Sequence, residues 1–252
     1  MNCHDAAPIV HQLPEYEAEG HPPSLEYPLP VDVHSPEFAA VNPWLLELAH
    51  LTPGSARADL AARWSGLRND SLQQIRDYLL ECDATSLVLT GSRGWLLCVH
   101  PQQQAMNLVA PPIDAGFIQQ RLSEWRIDGH SVLAELLVNF GGLREDFAPG
   151  GGCFIDERKW EGVTESWMRQ INGHAEWEGA LIVFSSRGGD KLLVDRDGRV
   201  GWWMAGEMRM REAYPDLPAC LVDFVRYRTI PWPYDPYPPP VRFPRVFGGC
   251  SG

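Results

Sequence analysis

Residues 180–204, ALIVFSSRGGDKLLVDRDGRVGWWM, hold three short apolar runs in close succession. Ala180–Ser185, Asp190–Asp195 and Arg199–Met204 each have the length of a strand and are too short for a stable helix. Asp197-Gly198 lies between the last two. Both residue types tolerate the left-handed backbone that a tight hairpin needs, so the reading is an antiparallel pair joined there. Trp202 and Trp203 are neighbours on the last run, and adjacent strand residues point to opposite faces of a sheet. One ring is expected in the core and the other on the open face, where a helix can also cover it. Both are candidate partner contacts.

Outward from this hairpin, helices alternate with strands. Residues 131–140 read as a helix stopped by Gly141-Gly142, since glycine accepts the left-handed conformation that closes helices. Asp114 is placed to cap a helix running through Trp125. Further upstream, residues 86–90 and 95–100 form a second hairpin across Gly91-Ser92-Arg93-Gly94, and residues 105–109 add a strand that Pro111-Pro112 ends. Residues 55–66 and 71–81 show helical spacing, with Leu72, Ile75, Leu79 and Leu80 on one side. Asn42-Pro43-Trp44 has the form of a helix start, a capping side chain followed by proline. Residues 1–40 show no period and read as an extended acidic arm. Residues 217–228 read as a last helix, and the proline-rich tail that follows cannot sit within a helix or inside a sheet. The fold class expected is α+β, a mainly antiparallel sheet packed with helices. Residues 41–112 form a helical and hairpin extension at its N-terminal side, and 231–252 form the tail.

The formal net charge is −12, and no Lys or Arg precedes Arg57 while eight acids fall in residues 1–50. Such a chain repels nucleic-acid phosphates and anionic lipid and attracts a basic protein; solubility is the plainer account of the same charge. Arg outnumbers Lys 19 to 2, which genomic base composition explains as well as any binding role. The N-terminus has neither a basic start nor an apolar stretch, and the most apolar run, residues 180–184, is far too short to span a membrane. The expectation is a cytoplasmic protein with no membrane or direct nucleic-acid partner. The six cysteines form no C-x-x-C pair and no zinc spacing, so they are expected as reduced, mostly buried thiols.

The motifs of common catalytic sites are missing: no G-x-S-x-G, no H-E-x-x-H, no phosphate-binding glycine loop. Five of eight histidines lie within residues 1–50 at irregular spacing, while His100, His130 and His174 stand alone. Asp195-Arg196-Asp197-Gly198 echoes a calcium loop without its later acidic ligands, and the turn reading is preferred. No metal and no cofactor is expected. Asp156, Glu157, Glu161 and Glu165 interleave with Trp160 and Trp167. Such a cluster is a solvated face, a protein-binding patch in which aromatic anchors hold and charges steer, or a pair of catalytic carboxylates. The partner-binding residues put forward are Asp156, Glu157, Trp160, Glu161, Trp202 and Trp203.

Two segments in this order resemble a known family. Residues 133–143, LAELLVNFGGL, are a helix ending in Phe-Gly-Gly-Leu, and residues 189–201, GDKLLVDRDGRVG, follow about fifty residues later, ahead of the apolar helix from Leu217. The pattern is similar to the SUKH superfamily, which includes the bacterial Syd protein and a yeast cell-wall-synthesis regulator. The resemblance covers residues 113–228, so a SUKH-like domain is expected over 113–230; residues 1–112 and the tail lie outside it. It implies a binding fold without catalytic residues. In the bacterial branch it implies an immunity protein that neutralises a cognate toxin domain by stoichiometric occlusion. The alternatives are a regulatory scaffold of the same fold and an enzyme using the carboxylates near 156–165. Titration of denatured, unreduced protein should find all six thiols free; four or fewer would count against a reduced state.

Overall fold

In a computed structural model the chain is described at residues 9–11, 24–34, 36–90, 93–101, 106–127, 132–145, 153–156, 161–162, 177–185, 191–204, 206, 209–214, 217 and 220. Among them, strands β1 (Ile9–His11), β2 (Ser24–Pro28), β3 (Asp83–Thr90), β4 (Arg93–Val99), β5 (Met106–Val109), β6 (Gly142–Glu145), β7 (Cys153–Asp156), β8 (Glu161–Gly162), β9 (Leu181–Ser185), β10 (Lys191–Val194), β11 (Val200–Met204) and β12 (Arg209–Tyr214) form one sheet. The strands follow one another in chain order, except that β7 and β8 both pair with β9. Every pairing is antiparallel, as expected of an α+β chain whose strands are linked by hairpins. β7 joins β9 at Cys153↔Ser185, and β5 pairs with β6, so the sheet runs unbroken past residue 112.

Helices α1 (Pro43–Ala49), α2 (Pro53–Arg63), α3 (Asp70–Glu81), α4 (Ala115–Glu124) and α5 (Val132–Phe140) supply the second layer. Their starts are fixed locally. Asn42 accepts a hydrogen bond from the N–H of Trp44 at 2.9 Å, Asn69 from those of Ser71 and Leu72, and Asp114 from that of Phe117 at 2.9 Å. Each bond satisfies an N–H that the helix itself leaves unpaired. No described helix is long and apolar enough to cross a membrane.

Strand alternation divides the apolar side chains between two faces. Leu87, Leu89, Leu96, Val109, Leu143, Leu181, Val183, Leu192, Val194 and Val200 join the core that α1 to α5 fill with Leu45, Leu60, Ile75, Ile118 and Phe140. On the opposite face Val88, Trp95, Leu97 and Leu108 make one cluster, and Trp177, Ala180, Ile182, Leu193 and Trp203 another. Burial on both faces is why these strands read as near-continuous apolar runs rather than as an alternation.

The 180–204 region forms neighbouring strands β9, β10 and β11, with Val194↔Val200 closing the second hairpin. Its loop differs in detail from the expected tight turn. Only Gly198 is left-handed, at φ +82°, and the N–H of Gly198 donates to the carbonyl of Asp195 at 3.0 Å. The Asp195 carboxylate accepts from the backbone N–H of Asp197 and of Arg199, both at 2.9 Å, and from the Arg199 guanidinium at 2.6 Å. Its oxygens thereby hold the turn itself, the structural alternative to a calcium loop.

Several sequence expectations are corrected. Residues 1–40 are not an extended arm throughout: β2 adds a strand to the sheet, and Tyr27 and Phe38 are buried with their rings 5.0 Å apart, edge to face. Strands β6, β7, β8 and β12 had no distinct signal in the sequence. α4 closes on Arg126 at φ +58°, with the N–H of Ile127 donating to the carbonyl of Leu122 at 2.8 Å, although no glycine marks the position. Of the expected helix 217–228, Leu217 and Cys220 are helical and buried in the main core. The remainder of it and the tail 231–252 lie outside the described residues.

Gly141 stands where sequence reasoning placed a helix stop, at φ +58°. A Cβ there would also fall inside the Pro111 carbonyl group. Gly179 has a similar φ of +78° but open space around it. Urea unfolding should therefore separate the two: Gly179→Ala should cost about 1–2 kcal/mol, the ordinary left-handed penalty, and Gly141→Ala clearly more, about 3 kcal/mol or above. Equal losses would refute the close approach.

Candidate functional site

The residues put forward from sequence divide into three groups. Asp156 is the last residue of β7, opposite Gly142, and Glu161 opens β8 opposite Ile182. β7 and β8 both pair with β9, but through Cys153 and through Glu161 and Gly162; Asp156 itself is paired with β6. Glu157 and Trp160 lie outside the described residues, as do Glu165 and Trp167.

Trp202 and Trp203 point to opposite faces, as expected, but neither is exposed. Trp203 is 4% exposed and packs with Trp177, Ile182 and Leu193. Trp202 is half-buried against the main core. The reason is the second apolar layer. A Cβ on Gly201 would meet the Trp177 ring at 2.6 Å, so glycine makes the room that lets Trp177 lie across β11 beside Trp203. The Arg199 guanidinium sits 5.7 Å from the Trp177 ring and links this layer to the Asp195 turn.

A buried polar group lies where α3 runs into β3. Tyr78 and His100 stack with ring centroids 5.9 Å apart, and His100 Nε2 lies 3.5 Å from the Glu81 carboxylate. Asn107 Nδ2 donates to the Tyr78 hydroxyl at 3.3 Å and reaches Cys82 Sγ at 3.8 Å. Thiol, imidazole and amide are the residue types of thiol catalysis, yet this sulfur is occupied. Cys82 Sγ donates to the carbonyl of Tyr78 at 3.5 Å, a bond within the last turn of α3. Burial, with Cys82 nearby, pushes the Cys98 thiol well above its usual range. A reactive thiol needs the opposite, a stabilised thiolate and solvent access. The hydrogen bonds of Tyr78, Cys82 and Asn107 join the end of α3 to β5 inside the core. Cys82, Cys98 and Cys220 are buried and form no disulfide. Among the described residues no three His, Cys, Asp or Glu side chains converge as a metal site.

Sequence reasoning missed the outer face of α4. Phe117 is 45% exposed, the large apolar side chain that the described residues leave to solvent. One and two turns further on the same side, the Arg121 guanidinium stacks 4.5 Å over the Trp125 ring and pairs with Glu124 at 3.0 Å. Trp125 is itself partly buried against the main core, so the solvent-facing anchor on this side is Phe117, with the Arg121 guanidinium held in place one turn away. The i, i+4, i+8 spacing of Phe117, Arg121 and Trp125 was the available signal, masked by the alternation of apolar and polar residues that also describes a core-facing helix.

No protein-family model, curated protein or solved structure matches this chain. The burial of Trp203 leads to a stability test. Trp203→Ala should cost about 3–5 kcal/mol in urea unfolding, as for a large buried aromatic, and Trp202→Ala less. A Trp203→Ala variant as stable as the parent would place the ring at a surface after all.

Proposed function

We propose that this chain is an immunity or interaction protein that neutralises a cognate bacterial toxin domain in the cytoplasm by stoichiometric binding. The observation that supports the reading best is the order of two of its left-handed glycines, Gly141 and Gly198. Gly141 closes α5 ahead of the sheet's second half, and Gly198 joins β10 to β11. These are the positions on which the SUKH resemblance rests, with Phe140 and Leu143 docked in the core on either side of the first turn. The step from that fold to toxin binding is one of analogy.

Charge and surface chemistry fit the same reading. A net charge of −12 steers a basic partner from a distance and is screened by salt. Phe117 beside the Arg121–Trp125 stack gives such a partner an apolar anchor whose neighbours are already ordered, so little side-chain entropy is lost on contact. The acids Asp156, Glu157 and Glu161 supply steering rather than anchoring. Trp203 serves the core, and Trp202 is assigned at most a flanking role.

The test starts from the reading frame next to this gene. Its product should arrest growth when expressed alone, co-expression of this chain should restore growth, and native mass spectrometry should find a one-to-one complex. Phe117→Ala should weaken that complex about tenfold or more, chiefly through faster dissociation, without lowering thermal stability. Lysine at Asp156, Glu157 and Glu161 together should slow association and flatten its salt dependence. A neighbour without toxicity, or an arrest that this chain leaves untouched, sinks the immunity reading. A stable non-toxic partner moves it to a regulatory scaffold.

A further inference from the structure

We draw no further inference here: the strongest candidate, the outer edge of β12 at the C-terminal end of the sheet, has no assignable occupant, because antiparallel pairing with a second copy centred on Arg211 or on Glu212 sets that charge opposite itself and nothing in the structure shows what else covers the edge.

Discussion

The backbone contact between Gly141 and Pro111 sets the geometry of the middle of the molecule. The carbonyl of Leu137 accepts from the N–H of Gly141 at 2.9 Å and from that of Ile113 at 3.1 Å, while the N–H of Ala110 donates to the carbonyl of Gly142 at 3.0 Å. One turn therefore ends α5, receives the chain leaving β5 and starts β6 beside it. Only a residue without a Cβ can come so close to the Pro111 carbonyl with a left-handed backbone. Through that contact the first five strands and the later ones become one sheet.

Side chains reinforce the junction. Trp64 Nε1 donates to the carbonyl of Asn139 at 3.1 Å, and its ring lies 4.9 Å from that of Phe140. The Glu135 carboxylate accepts from the backbone N–H of Arg68 and of Asn69, the residue that caps α3. The helices before residue 112 are thus bonded to α5 through polar groups whose partners would otherwise be water. The region outside the family resemblance and the region inside it share one core.

Burial on both faces of the sheet decides which residues remain for function. The chain holds ten tryptophans, of which Trp160, Trp202 and Trp203 were put forward as partner contacts. Trp64, Trp95, Trp177 and Trp203 instead fill the core and the two far-face clusters. The buried cysteines and the Tyr78–His100–Asn107 group are likewise committed to packing and internal hydrogen bonds. Among the described residues, the outward feature that stands out is the α4 face, with one exposed phenylalanine and one stacked arginine.

Elements with strong local physics were legible in the sequence. Asn42-Pro43 and Asp114 marked helix starts because a short polar side chain satisfies N–H groups within its own turn. Gly141 and Gly198 marked turns because the left-handed backbone excludes most other residues. The 180–204 runs marked three strands because their apolar content has no other economical use. Elements defined by distant neighbours were not legible. β6, β7 and β8 are short, and β2 sits among prolines and acids; pairing with distant residues fixes β2 and β6 as strands, as Leu25↔Leu89 and Val109↔Leu143 show. The alternation of Trp202 and Trp203 was a property of the sequence, since it follows from the two-residue period of any strand. Which ring would be buried was decided by tertiary structure alone, because it depends on Trp177, brought across Gly201 from a segment more than twenty residues away. In the same way composition determined the acidity of the chain. Exposure of Phe117 was decided only when Ile118 and Leu122 turned the other side of α4 into the core.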